Sequence, residues 1–273
     1  MEQRVDPERV RVEIDAHVAT VTLVRPEKHN ALDRRMFDAI VQAAVHVAAH
    51  PGVRAVVLHG EGRSFCSGLD VTSGFSSEDG VGGADAILLG EVPNPFQRVA
   101  YDWVRLPMPV IAALHGNCLG GGLQIALGAD IRIATPDARL SVMEVKWGLI
   151  PDMSITQTLP RLVGIDVAKE LTFTGRVFSG EEALRMGVVT RVSEEPLSAA
   201  LELAKEIANR SPDAVRGAKR LFDQSWNAPA DVGLRLEAET QRKLIGSPNQ
   251  IAAVTAGLTK QAPAFVDPEP DQV

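Results

Sequence analysis

Cysteine is scarce in this sequence, and long apolar runs are missing. The 273 residues contain two cysteines, Cys66 and Cys118, which cannot build a disulfide framework. The N-terminal residues MEQRVDPERV lack the basic start and the apolar segment of a signal peptide. No stretch reaches the roughly 18 consecutive apolar residues that a membrane helix needs. These absences argue against a disulfide-rich secreted domain and a membrane-spanning protein, and they predict a cytoplasmic chain.

Basic residues are also fewer than acidic residues. Lys and Arg number 28 against 35 Asp and Glu, which gives a formal net charge of -7. Such a chain has no general attraction for nucleic acid, although a locally basic pocket can still bind a phosphorylated ligand. Hydrophobic residues make up 45% and charged residues 23%, as in an ordinary globular protein. We therefore predict a folded protein that binds no nucleic acid.

Predicted strands and helices alternate in the N-terminal part of the chain. Apolar and polar residues alternate in residues 10–14 and 18–24, which predicts a β-hairpin. Helical spacing predicts a helix over residues 33–49 with Asp33 as its N-cap. Further strands are predicted at residues 53–59, 110–111 and 131–134, and a short helix at residues 125–127. This alternation predicts an α/β fold.

From residue 159 onward the apolar spacing becomes helical. The predicted helices cover residues 167–173, 180–186, 196–208, 213–227 and 232–244. We therefore predict an α/β core over residues 1–195 and a helical region over residues 196–273. Residues 73–85 are rich in glycine, serine and acidic residues and follow a glycine loop, so we interpret them as a lid.

The most informative loop is residues 116–122, GNCLGGG, which follows a predicted strand and opens a predicted helix. Free main-chain N–H groups and a helix dipole at such a place favour an anion. Three adjacent glycines remove every Cβ atom, so a ligand oxygen can approach the main chain. The alternative is that the small residues only let helix and strand pack closely. The loop lacks the Lys-Ser/Thr of a P-loop and the GxGxxG of a dinucleotide site, so nucleotide chemistry is disfavoured.

Two carboxylates downstream are candidates for proton transfer. Glu144 lies among apolar residues, and Asp152 follows a proline. An apolar site raises the pKa of a carboxyl group toward neutral pH, where it can exchange protons. The alternatives are an ion pair of Glu144 with Lys146 or an arginine, and an ordinary turn or N-cap at Asp152.

Metal binding and thiol catalysis have weaker support. His46 and His50 lie four residues apart on a predicted helix, but no Glu or further ligand accompanies them, so we predict no metal site. Cys66 and Cys118 have no histidine motif to support nucleophilic catalysis, and we interpret them as packing residues.

Four motifs in a fixed order point to a family. They are residues 25–32 (RPEKHNAL), 65–70 (FCSGLD), 115–122 (HGNCLGGG) and 160–164 (PRLVG). With them the sequence resembles the crotonase family of enoyl-CoA hydratases and isomerases, from about residue 10 to about residue 195 and more weakly to Phe265. The resemblance implies a spiral of repeated strand-strand-helix units followed by a helical C-terminal region. It also implies assembly into homotrimers or a dimer of trimers, with residues 196–273 involved in trimerisation and pocket closure.

The resemblance also implies a site for an acyl-CoA thioester. The N–H groups of Leu69 and Gly121 would form an oxyanion hole for the thioester carbonyl, as enolate formation requires. Glu144 matches a catalytic glutamate of the hydratases, and the pair of Glu144 and Asp152 matches the proton carriers of dienoyl-CoA isomerases. The coenzyme A itself would lie near Arg25, Lys28, Ala31, Ser67, Asp70 and Lys260. The three basic residues suit phosphate binding, although each could equally be a solvated surface charge. No metal or redox cofactor is implied, and fatty acid β-oxidation is the expected setting.

Gln124 departs from the family pattern. Hydratases have a second glutamate at this position and dienoyl-CoA isomerases have an aspartate, and an amide cannot exchange a proton as a carboxylate does. We therefore favour a (di)enoyl-CoA isomerase. The alternatives are a hydratase in which Glu144 acts on a water positioned by Gln124, and a non-catalytic acyl-CoA-binding protein. The bulk of residues 152–156 (DMSIT) replaces the small residues of many relatives and would reshape the acyl pocket.

Overall fold

A computed structural model describes residues 5–71 and 92–268. Its strands are β1 (Val10–Asp15), β2 (Val18–Leu23), β3 (Ala55–Gly60), β4 (Val110–Leu114), β5 (Asn117–Leu119), β6 (Ile131–Ala134), β7 (Arg139–Ser141), β8 (Phe178–Ser179) and β9 (Arg191–Val192). Its α-helices are α1 (Arg34–Ala48), α2 (Pro95–Arg105), α3 (Gly121–Leu127), α4 (Ile155–Thr158), α5 (Ile165–Thr174), α6 (Gly180–Met186), α7 (Pro196–Ala208), α8 (Pro212–Ser225), α9 (Ala230–Leu244) and α10 (Pro248–Thr259). Short 3₁₀ helices cover Pro26–Lys28, Glu144–Trp147 and Leu159–Arg161. The lid predicted at residues 73–85 lies outside the described residues.

Two sheets organise the described chain. The larger has the strand order β1-β2-β3-β4-β6-β9, and the smaller has the order β5-β7-β8. In the larger sheet β1 is antiparallel to β2, and the other neighbouring pairs are parallel. Because β3 and β4 are parallel neighbours, the loops that follow them leave from the same edge of the sheet. This edge therefore brings together two glycine loops, residues 60–70 (GEGRSFCSGLD) after β3 and residues 116–122 after β4.

The predicted hairpin and the first predicted helix are confirmed. Ala16 and His17 connect β1 to β2 with φ angles of 44° and 70°. Two successive left-handed residues form the tight turn that suits the twist of a hairpin. Helix α1 begins after Asp33, whose side chain accepts a hydrogen bond from the N–H of Met36. This contact satisfies one of the free donors at the start of the helix.

Both faces of the larger sheet are covered. Helix α1 contributes to the main hydrophobic core on one face, where Met36, Ile40 and Val47 are fully buried. Helix α7 packs on the other face through Ala200, Ala204 and Ala208. Its small side chains let the helix lie close to the strands. Helix α7 lies beyond residue 195 and packs against this sheet. The division predicted at residue 195 stays a prediction.

The helical pattern after residue 159 is confirmed, but helices α2, α4 and α10 were missed. Helix α2 begins at Pro95 with a capping box, in which Asn94 accepts from the N–H of Gln97 and Gln97 accepts from the N–H of Asn94. Helix α10 begins at Pro248 after the N-cap Ser247. Both starts carry an N-cap followed by proline, which is a recognisable signal. In the described ranges, no helix is both long and apolar enough to cross a membrane.

Candidate active site

The two glycine loops are bound to each other by main-chain hydrogen bonds. Cys66 and Cys118 form a parallel bridge, in which the N–H of Cys66 donates to Asn117 O (3.0 Å) and the N–H of Leu119 donates to Cys66 O (3.0 Å). Leu32 lies on the other side of the first loop, where its N–H donates to Gly68 O (2.8 Å). The loop that contains residue 69 is thus held by hydrogen bonds to a neighbouring segment on each of its two sides.

The predicted oxyanion amides lie in these adjoining loops. Gly68 has a φ of 85°, and a Cβ atom placed on it would lie 2.7 Å from Leu119 O and 3.6 Å from Gly121 N. Gly121 is the first residue of α3, where an N–H group has no partner within the helix. Within the described ranges, neither the N–H of Leu69 nor that of Gly121 donates a hydrogen bond to another residue. Two free donors are therefore available here, and their convergence on one ligand oxygen stays a prediction.

The carboxyl group of Glu144 lies beside the glycine loop. The N–H of Gly120 donates to Ser141 O (2.9 Å), and this contact brings the loop next to the end of β7, three residues before Glu144. A Cβ atom placed on Gly120 would lie 3.4 Å from Glu144 Oε1. Burial raises the pKa of Glu144, the hydrogen bond from Gln124 opposes the increase, and the charge of Asp152 adds to it. Glu144 is thus a carboxyl group with a raised pKa at the predicted oxyanion hole.

The ion pair considered for Glu144 and the N-cap considered for Asp152 are not observed in the described residues. Glu144 has no ion pair there, and the ammonium of Lys146 instead lies 5.6 Å from the ring centre of Trp147. Asp152 is not the N-cap of α4, because Ser154 occupies that position. Burial raises the pKa of Asp152 as well. Both carboxyl groups therefore have the raised pKa that proton transfer near neutral pH requires.

Gln124 connects Glu144 to the turn that follows Asp152. Its side chain projects from α3 and is 1% exposed. Its Nε2 donates to Glu144 Oε1 at 2.6 Å, and its Oε1 accepts from the N–H of Met153 at 2.8 Å. Each end of the amide thus has one hydrogen-bond partner within the protein.

The residues predicted to bind coenzyme A fall into two groups. Arg25, Ala31 and Asp70 form one network, because Arg25 donates from Nη2 to Asp70 Oδ2 (2.8 Å) and from Nη1 to Ala31 O (2.9 Å). Ser67 lies next to it, since its Oγ donates to Lys28 O (3.3 Å). The side chains of Lys28 and Lys260 are exposed, and within the described chain no contact joins Lys260 to this group. Arg25 therefore connects the turn that contains Ala31 to the loop that contains Asp70. The sequence did not predict this structural role.

Sequence reasoning missed two residues of the site. Asn30 is fully buried, and its Nδ2 lies 2.8 Å from Ser64 O and 3.1 Å from Phe65 O, so it shapes the loop that leads to Leu69. Met153 was noted only for its bulk. A Cβ atom placed on Gly121 would lie 2.9 Å from Met153 Sδ, so this side chain packs against the predicted oxyanion residue.

Thiol and metal chemistry find little support at this site. Burial raises the pKa of Cys66 to about 12 and also raises the pKa of Cys118. A thiol in this state does not supply a thiolate nucleophile. In the part of the chain that the structure describes, no group of three or more His, Cys, Asp or Glu residues could hold a metal ion.

Comparisons with known proteins identify the family to which this chain belongs. Residues 13–268 match the sequence model of the enoyl-CoA hydratase/isomerase family, so the chain belongs to that family and is an acyl-CoA enzyme of the crotonase superfamily. The mitochondrial Delta(3,5)-Delta(2,4)-dienoyl-CoA isomerase of Mus musculus is 34% identical over 253 residues, which are 90% of this chain and 77% of the relative. The short-chain-enoyl-CoA hydratase of Clostridium acetobutylicum is 35% identical over 255 residues, which are 92% of this chain and 95% of the relative.

Solved structures agree with this assignment. The crystal structure of enoyl-CoA hydratase from Bacillus anthracis superposes with a TM-score of 0.85 at 30% identity, covering 94% of this chain and 98% of that chain. The crotonase-like fold predicted from the four motifs is therefore confirmed.

Proposed function

We propose that this enzyme is an isomerase that moves a proton between carbons of an unsaturated acyl-CoA. The observation that carries the proposal is a pair of partly buried carboxyl groups, Glu144 and Asp152, with raised pKa values and an amide, Gln124, bonded to one of them. The similarity to a dienoyl-CoA isomerase supports a 3,5-dienoyl-CoA as substrate. No redox cofactor or metal is needed, because the reaction only relocates a proton and a double bond.

The two loops would stabilise the charge that develops. When a carboxylate removes a proton from carbon, the C–H electron pair delocalises into the thioester carbonyl and leaves negative charge on its oxygen. The N–H groups of Leu69 and Gly121 then donate to that oxygen. Loss of one such donor typically costs about 2.7 to 4 kcal/mol of transition-state stabilisation. Return of a proton to a different carbon completes the shift of the double bonds.

The surroundings of the two carboxyl groups suggest which one is the acid. Burial raises both pKa values, and the charge of Asp152 raises that of Glu144 further. Both carboxyl groups therefore hold a proton more strongly than free carboxyl groups do, and only Glu144 has the additional contribution from its neighbour's charge. We assign the donor role to Glu144 and the base role to Asp152, with the two titrating as a pair.

Hydration of an enoyl-CoA is the second candidate, favoured by the similarity to a short-chain-enoyl-CoA hydratase. In this alternative Glu144 acts through a water that Gln124 positions. Gln124 would have to bind that water through its second N–H or its second oxygen lone pair, because one of each is already engaged with Glu144 and Met153. Isomerisation places no such demand on Gln124.

Coenzyme A and the assembly complete the proposal. Lys28 and Lys260 are exposed and can approach phosphate groups, while the network of Arg25, Ala31 and Asp70, together with Ser67, would shape the pocket wall.

We also propose a homotrimer or dimer of trimers, because α8 to α10 expose many large apolar side chains. A cytoplasmic location fits the proposal.

The experiment that tests the function is a substrate panel. The enzyme is incubated in deuterated water with 3,5-dienoyl-CoA, 3-enoyl-CoA and crotonyl-CoA, and the products are analysed by mass spectrometry. We expect conversion of the dienoyl substrate with solvent deuterium in the product and little hydration of crotonyl-CoA. Efficient hydration without isomerisation would contradict the proposal and favour the second candidate. Binding of all substrates without exchange would favour a non-catalytic protein.

A further inference from the structure

The side-chain amide of Gln124 has only one orientation that fits its two buried hydrogen bonds. The main-chain N–H of Met153 can only donate, so the amide oxygen of Gln124 must face it. The amide nitrogen must then face Glu144 Oε1, 2.6 Å away. The assignment of the two amide ends therefore follows from the hydrogen-bond partners themselves.

This orientation makes the two oxygens of Glu144 unequal. The amide nitrogen of Gln124 can only donate, so Glu144 Oε1 is an acceptor in both charge states. In the neutral acid the carbonyl oxygen is the better acceptor, and the proton therefore belongs on Oε2. Within the described residues, Glu144 Oε2 is buried and has no hydrogen-bond partner. It is the oxygen left to act on a ligand.

We propose that Gln124 is a positioning residue that locks the Glu144 carboxyl group and assigns the transferred proton to Oε2. The inference rests on the proposed function and deepens it, because it explains how one carboxyl group acts as a single-site acid. The proton leaves Glu144 Oε2 for a substrate carbon, and the resulting carboxylate keeps the hydrogen bond of Oε1 with Gln124.

The same contacts explain why an amide stands at this position. A carboxylate in place of Gln124 would put a second negative charge where Nε2 now lies, 2.6 Å from Glu144 Oε1. Two carboxylates at that separation cannot both ionise, so they would share a proton. Such a pair supplies both an acid and a base, as hydration requires, whereas the amide leaves Glu144 as the one proton carrier of the two. Gln124 would thus select isomerisation over hydration.

The test compares Gln124→Met with Gln124→Glu. Methionine has a similar length but makes neither hydrogen bond, and loss of a donor to the charged form should raise the pKa of Glu144. We expect kcat to fall roughly 10- to 100-fold with little change in KM, because the acid loses its fixed orientation. The alkaline limb of the kcat profile should move to higher pH. The control Gln157→Met changes an exposed glutamine on α4 and should leave both unchanged.

A second readout needs no turnover. Infrared spectra of protein labelled with ¹³C-glutamate, with Glu144→Gln as reference, report the titration of the Glu144 carboxyl group. That titration should move to higher pH in Gln124→Met, and an unchanged titration would overturn the proposal whether or not the enzyme isomerises dienoyl-CoA. Gln124→Glu should gain crotonyl-CoA hydration over the native enzyme, and no gain would overturn the part of the proposal that concerns selection between reactions.

Discussion

The loop site and the last three helices use polar and apolar side chains in opposite ways. At the site, Asn30 and Gln124 are buried and bonded to other parts of the chain. In α8 to α10, by contrast, Phe222 is 69% exposed and Leu258 is 81% exposed. Burying a polar group and exposing an apolar surface both cost free energy, so each feature needs a physical explanation. The first is explained by chemistry within one chain and the second by a surface that a partner would cover.

Helix α7 sharpens this contrast within the C-terminal region. Its alanines pack against Val57, Ile111 and Ile133 of the larger sheet, so its apolar side is satisfied internally. Helices α8 to α10 and their C-cap residues include apolar side chains that the described chain leaves exposed, among them Trp226, Leu234, Ile245, Ile251 and Val254. The change from inward-facing to outward-facing apolar residues thus occurs after α7.

The largest expected effect on turnover comes from removing a carboxyl group that transfers the proton. Glu144→Gln keeps the size and the contact with Gln124 but cannot transfer a proton, so turnover of 3,5-dienoyl-CoA should fall by about 10² to 10⁴ while acyl-CoA binding persists. Asp152→Asn should behave similarly. Steady-state kinetics and calorimetric titration separate turnover from binding. Glu202→Gln on the exposed side of α7 is the matched control, and equal activity in Glu144→Gln would remove Glu144 from the mechanism.

A pair of glycine substitutions compares the packing of the two regions. A Cβ atom on Gly122 would collide with the carbonyl oxygen of Cys66 and lie 2.8 Å from Cys66 Cβ, whereas one on Gly257 in α10 would meet nothing within 4 Å. Gly122→Ala should therefore destabilise the fold by about 1 to 3 kcal/mol and reduce turnover. Gly257→Ala should be neutral or stabilise by up to about 1 kcal/mol. Urea denaturation measures both, and equal effects would mean that the loops tolerate displacement.

A charge on the exposed apolar surface should affect assembly rather than folding. Leu258→Glu should shift the protein toward smaller species in analytical ultracentrifugation, because a charge in an apolar interface is desolvated without a partner. The circular dichroism spectrum should stay that of the native protein. Ser198→Glu, at an exposed polar position of α7, is the control. An unchanged mass for Leu258→Glu would place the subunit interface elsewhere.

The smallest expected effect is a dependence of stability on pH. Because burial raises the pKa of Glu144 in the folded state, the unfolded chain ionises first as pH rises. At low pH both states hold the proton, and the group contributes nothing to the free energy of unfolding. Through the interval between the two pKa values the free energy of unfolding falls, and it stays lowered above the folded pKa.

Glu144→Gln should consequently equal the native protein in Tm at low pH and exceed it at neutral pH. Thermal melts across this range measure the difference. Were the difference constant at all pH values, the buried charge would not be its cause.

Local sequence signals account for much of the fold. The hairpin, α1, α6 and the helices after residue 159 follow from periodicity, capping and turn residues that act within a few positions. Helices α2 and α10 show the same kind of signal at Asn94-Pro95 and Ser247-Pro248, and they were overlooked rather than hidden. The glycine loops and the two carboxylates were likewise visible, because their residue types carry the chemistry.

The contacts among the site residues were beyond such reasoning. Gln124 meets Glu144 across 20 positions and Met153 across 29, and Arg25 meets Asp70 across 45. A glutamine in a helix has the same local pattern whether it faces water or a carboxylate. The interpretation of Gln124 as a water-positioning residue was therefore open until its partners were known.

The amino-acid sequence alone determined which groups could do chemistry here: bare main-chain donors at glycine loops, two carboxylates in apolar surroundings and an amide at position 124. Tertiary structure decided which of these groups meet and in what state. Burial is what raises the pKa of Glu144 and Asp152, and a rigid contact is what distinguishes one carboxyl oxygen from the other. Both depend on desolvation and on distances of a few ångströms between segments far apart in the chain, which no local pattern encodes.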